Sequence, residues 1–104
     1  MQELELVCFE IISSVGTARS CYIESIRLSR QGKFEEAEAQ IKEGKEIFEM
    51  GHKAHGKLIQ KEASGEKTEG SILLIHAEDQ MMSAETFGIL AEEFLELNKV
   101  IREK

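Results

Sequence analysis

Apolar positions recur every three or four residues along most of the chain, and glycines mark the places where that rhythm stops. The first segment runs from about Glu3 to about Arg30. Its apolar positions Leu4, Val7, Ile11, Val15, Ala18, Tyr22 and Ile26 have the spacing of an amphipathic helix. Gly16 interrupts it at a cost of about 1 kcal/mol against alanine, and reads either as a point of close packing or as a tolerated defect. The segment stops at Gln31-Gly32-Lys33, where Gly32 suits the left-handed position just past a helix end. The second segment, about Phe34 to about Glu62, carries the seam Phe34, Ala37, Ile41, Gly44, Phe48, Gly51, His55, Leu58. Large and small residues alternate along it, and Gly44 and Gly51 predict close approach of a neighbour. Ala63 to Gly70 is a loop of small and charged residues bracketed by glycines. The third segment runs from about Ser71 to about Ile101 and shows two seams. One is Leu73, His76, Gln80, Ser83, Phe87, Leu90, Phe94, Leu97, Ile101; the other is Ile72, Ile75, Asp79, Met82, Thr86, Ile89.

Three helices of about 28 to 31 residues, each about 42 to 46 Å long at 1.5 Å per residue, predict an all-α, antiparallel three-helix, up-down-up bundle. No strand pattern competes, and residues 1–104 read as one domain. Two apolar faces on the third helix are more than a lone three-helix bundle can bury. The surplus predicts helix pairing between copies of the chain.

Composition narrows the function. The formal net charge is −7, from 20 acidic and 13 basic residues, with no basic cluster. Nucleic-acid binding depends on neutralising phosphates and is disfavoured. No uninterrupted apolar run approaches the roughly 18 residues of a membrane span, and Met1-Gln2-Glu3-Leu4-Glu5 lacks the basic start of a secretory signal. Cys8 and Cys21 would stand about 20 Å apart on one helix, against the roughly 7 Å a disulfide tolerates. Free thiols fit a reducing cytoplasm.

The candidate chemistry gathers at the start of the third segment. His76 stands among aliphatic residues, and a lone histidine on an apolar face is commonly a core residue. Counting from the 63–70 loop, His55 and His76 fall at the same height in antiparallel neighbours. His55, His76 and Gln80 are therefore expected to line one polar pocket, with Ser83 further along the same seam. A neutral imidazole can attack phosphorus and pass the phosphoryl group onward. Leu73 and Ile75 would keep water out, while Gln80, His55 and Ser83 offer donors. No nucleotide-binding motif is present, so the phosphoryl group would arrive from another protein. Asp79 lies on the adjoining face. It either pairs with a cation such as Arg19 or converges with its copies on a symmetry axis, where a hard ion such as Mg²⁺ suits oxygen ligands. His52 and His55 share a helical face, but no third ligand of metal-binding spacing follows them.

These residues carry a resemblance. The block Ile75-His76-Ala77-Glu78-Asp79-Gln80-Met81-Met82-Ser83, together with Phe9-Glu10-Ile11-Ile12, Ala18-Arg19-Ser20, Gly32-Lys33-Phe34-Glu35-Glu36-Ala37 and Glu62-Ala63-Ser64-Gly65, resembles the IIA component of the lactose/cellobiose/chitobiose branch of the bacterial sugar phosphotransferase system. The resemblance implies a cytoplasmic homotrimer, a nine-helix bundle. By it His76 is the phosphoryl-carrying residue and Asp79 binds one Mg²⁺ per trimer on the axis. The donor would be the carrier protein HPr and the acceptor a cysteine of IIB, serving disaccharide uptake through the membrane component IIC. The sequence departs from the pattern at several places. Thr17 stands where Asp is usual, His55-Gly56 where Gln-Thr is usual, Glu78 where Gln is usual and Gln80 where His is usual. A histidine gained at 55 offsets one lost at 80 if the two share a pocket. The alternatives are a regulatory or scaffold trimer with little transfer activity, and a helical interaction protein in which His76 is core.

Overall fold

A computed structural model describes residues 3–104. Met1 and Gln2, the start of the N-terminal stretch read above, lie outside the described residues. Three helices account for nearly all of the rest: α1 (Glu3–Arg30), α2 (Phe34–Ala63) and α3 (Ile72–Glu103). They form the expected up-down-up bundle, 56 Å long and 24 by 20 Å across.

The two breaks are built alike. After α1, Gly32 takes φ 81°; its N–H donates to the Ser29 carbonyl at 3.0 Å and the Lys33 N–H to the Leu28 carbonyl at 3.0 Å. After α2, Gly65 takes φ 99°, with Gly65 N–H to Glu62 and Glu66 N–H to Lys61. Both are Schellman closures, and each uses a glycine because a Cβ is strained at positive φ. At the start of α3, the Ser71 hydroxyl accepts the Leu74 N–H at 3.1 Å, so Ser71 is the cap rather than the first helical residue.

α1 is the shared wall of the bundle. Its Cys8, Ile11, Val15, Ala18 and Tyr22 are buried, packing against both other helices. By length and composition α1 would pass for a membrane span, although no long uninterrupted apolar run occurs. Its apolar character follows from facing two neighbours. The α2 seam is found as expected, with Ala37, Ile41, Gly44 and Gly51 buried.

The α3 seams are not the core. The buried stripe of α3 is Ala77, Met81, Ala84, Gly88, Ala91 and Leu95, which lies between the larger residues picked out by periodicity. The reason is distance. A Cβ on Gly88 would sit 3.0 Å from the Tyr22 ring, and one on Gly44 would sit 2.6 Å from the same ring. Tyr22 therefore fills the space between α2 and α3 where both present glycine. Gly16, by contrast, has nothing within 4 Å of a Cβ position, so it is not a point of close packing.

Small residues in the contact leave the large ones outside. Ile72 (87% exposed), Ile75, Met82, Ile89, Leu97 and Val100 all lie uncovered on α3. Leu6 and Phe9 of α1 are exposed as well. Cys8 is buried, Cys21 half-buried, and both are free thiols. Burial pushes the Cys8 thiol up, helped by the nearby carboxylates of Glu78 and Glu5.

Candidate functional site

Each residue turns an α-helix by about 100°, so the buried Ala77 fixes the surroundings of its neighbours. His76 is turned to one side of the core stripe and Glu78 to the other. Asp79, about 200° on, points almost directly away from the bundle. The cross-helix hydrogen bonds say which side is which. Arg19 of α1 donates from Nη1 to Ser83 Oγ at 3.4 Å, and Asn98 donates to Ser29 of α1 at 2.9 Å. On the opposite side His55 of α2 donates from Nε2 to Glu78 Oε2 at 3.1 Å. Lys45 of α2 there pairs with Glu92, and Lys99 pairs with Glu38 of α2 at 2.7 Å.

His76 shares the α1 side with Gln80 and Ser83, at successive turns. Its side chain is exposed, whereas Gln80 and Ser83 are half-buried. It is thus not a sealed core residue. Ile72, Leu73 and Ile75 flank the exposed imidazole along the chain, and any group docked over it there would exclude water from it.

His55 does not join this group. It meets α3 at the expected height, two residues from His76, but on the far side of the helix. The expected common pocket of His55, His76 and Gln80 therefore reduces, within one chain, to His76, Gln80 and Ser83. The small recess that His55 lines is shared with Leu58, Thr68, Leu74 and Glu78.

Asp79 is exposed, and it is absent from the close charge pairs among the described residues. Its suggested partner Arg19 reaches Ser83 instead. No group of three or more His, Cys, Asp or Glu side chains is placed to hold a metal among the described residues. His52 stacks on Phe48, with ring centroids 6.4 Å apart. Sequence reasoning missed Arg19 as a member of the His76 side. The signal was available: Arg19 is one position past the core residue Ala18, which sets it about 100° off the stripe.

The sequence of this chain matches the family model described as "PTS system, Lactose/Cellobiose specific IIA subunit" over residues 6–99. The chain belongs to that IIA family. It is 42% identical over 95 residues to the oligo-beta-mannoside-specific EIIA component of Bacillus subtilis (strain 168), covering 91% of this chain and 86% of the relative. Its fold matches the crystal structure of the cellobiose-specific enzyme IIA from Bacillus anthracis with a TM-score of 0.97 at 42% identity, covering 100% of this chain and 95% of that one. A solution structure of the IIA(chitobiose)–HPr complex matches with a TM-score of 0.86 at 27% identity, covering 98% and 99%.

As a IIA subunit the chain is a component of a sugar phosphotransferase. Two of its departures from the pattern given above now meet. His55 and Glu78, both named there, bond to one another. His55 therefore does not stand beside Gln80, which lies on the other side of α3.

Proposed function

We propose that this IIA component carries a phosphoryl group on His76, between HPr and a cysteine of IIB, in the cytoplasm. The observation that carries the reading is the exposed imidazole of His76 on an apolar helix, in a chain of this family. In the first transfer, a ring nitrogen lone pair of neutral His76 attacks phosphorus on the donor's phosphohistidine. The new N–P bond forms as the donor's N–P bond breaks, and the donor imidazole leaves with its electron pair. In the second, a IIB thiolate attacks the same phosphorus, an S–P bond forms, and His76 is released as free imidazole. Gln80 and Ser83 stand one and two turns away as donors to phosphoryl oxygens. His55 is held by Glu78 on the α2 side of α3 and has no part in these steps within its own chain. The phosphoryl group then serves uptake and phosphorylation of a disaccharide of the lactose, cellobiose or chitobiose class through IIC. A carrier of this kind never meets the sugar.

The uncovered outer face of α3 supports a homotrimer, with three copies of that face turned inward. Asp79 lies in the middle of it. One chain offers a hard cation a single carboxylate, which does not make a site. Three copies around an axis would supply three carboxylate groups, and Mg²⁺ there would offset their repulsion and aid assembly. No transfer step passes through it.

The test is incubation with phosphoenolpyruvate and the general phosphotransferase proteins. Wild type should gain an acid-labile, base-stable phosphate that His76→Ala does not; labelling of His76→Ala at the wild-type rate would show another residue to be the acceptor. A stable trimer with no labelling of wild type would favour the scaffold reading instead. For the metal, Asp79→Asn should change the mass measured by sedimentation, or its response to a chelator. Identical profiles in both conditions would count against the axial ion.

A further inference from the structure

The charge around His76 is lopsided. Along α1 the first basic residue is Arg19, and along α3 the first is Lys99. Below Arg19 and Ser83, toward His76, neither α1 nor α3 carries a lysine or arginine, in a chain with 20 carboxylates. Arg19 is half-buried, yet it is absent from the charge pairs among the described residues. Its one hydrogen bond is to a neutral hydroxyl, at 3.4 Å, near the long limit for such a bond. A half-buried guanidinium beside a neutral partner still has most of its donors to give.

The helix register connects it to His76. Contacts of Arg19 with Ser83, Tyr22 with Gly88 and Ser29 with Asn98 climb together, so α1 and α3 run parallel. The short side chains of Ser29 and Asn98 set the register between the two helices, so Arg19 starts more than a turn above Ser83 and reaches down to it. His76 stands two turns below Ser83, about 10 Å at 1.5 Å per residue. The guanidinium thus already extends toward the end of the furrow that holds His76, and a phosphoryl group on the imidazole would shorten the remaining span.

We propose that Arg19 is the residue that binds the phosphoryl oxygens during transfer to and from His76. This rests on the carrier reading above. The planar fork of a guanidinium matches two phosphoryl oxygens at once. Arg19 keeps its proton throughout. It neither attacks nor departs, but steadies the charge spread over the equatorial oxygens while one bond to phosphorus replaces another. Its hydrogen bond to Ser83 holds the side chain on the furrow until the phosphoryl group arrives.

The experiment compares wild type, Arg19→Gln, Arg19→Lys, Arg19→Ala and Ser83→Ala in rapid-quench transfer from phosphorylated HPr. Arg19→Gln should slow transfer about 10² to 10³-fold, the usual loss of one such donor, and Arg19→Lys should recover part of it. Added guanidinium at low millimolar concentration should speed Arg19→Ala, an effect that a merely structural arginine would not give. Ser83→Ala, which removes one donor and the tether of Arg19, should slow transfer, but less than Arg19→Gln does. Transfer to Arg19→Gln at the wild-type rate overturns the proposal while leaving His76 as carrier. So does an Arg19→Ala defect that neither lysine nor guanidinium relieves. Failure of wild type itself to take the label overturns both readings.

Discussion

The two sides of α3 solve different problems. Toward α2 the helix is laced by charge pairs: His55 with Glu78, Lys45 with Glu92, Lys99 with Glu38. Toward α1, in its N-terminal half, it presents His76, Gln80 and Ser83, none of them charged in the neutral-imidazole form, facing one arginine. The first side is closed upon itself. Its polar groups have partners within the chain and little left for anything else. The second side holds its donors in reserve. Titratable residues alone would not separate the two, because each side has a histidine. What separates them is whether the histidine already has a partner.

That contrast can be broken first at His76. Replacing it with alanine should abolish labelling while leaving thermal stability within about 0.5 kcal/mol, as expected of an exposed residue without packing partners. A large loss of stability, read by circular dichroism melting, would mean that His76 supports the fold after all. The next effect is on the packing that sets both sides. Gly88→Val forces a side chain against the Tyr22 ring and should destabilise the bundle by about 1 to 3 kcal/mol. An unchanged melting temperature would show that Tyr22 moves aside freely. The smallest effect belongs to the α2 side. A double-mutant cycle of His55→Gln and Glu78→Gln should give a coupling below about 1 kcal/mol, since Glu78 is half exposed. Both single variants should be labelled on His76 within a few-fold of the wild-type rate. A coupling of several kcal/mol, or lost labelling, would place the pair in the transfer site.

Much of the architecture was legible in the sequence. Gly32 and the 63–70 loop announced the two turns, because positive φ selects glycine where helices close. The seams of the first two helices were readable for the same reason that most are: their contacts use residues of mixed size. The third helix misled. Its core stripe is mostly alanine and glycine, which carry little hydrophobic weight, while the heavier Ile, Leu and Phe side chains face outward. Periodicity measures where apolar bulk lies, and here the bulk is not at the contact. That same error put His55 and His76 together. Height along a helix follows from counting residues from a loop, but the side follows only once the buried stripe is known. Arg19 offered itself only as a partner for Asp79, and its place on the His76 side depends on that same stripe.

The Tyr22 ring wedged between Gly44 and Gly88 has a consequence at a distance. It works as a key seated in two slots, and a key prevents rotation. With the ring in place α3 cannot roll about its own axis, since any other residue at position 88 of the contact would collide with it. A roll of one residue in either direction would carry His76 or Glu78 into the core. The angular setting of the imidazole is therefore held by an aromatic residue more than three turns up the bundle, on a different helix.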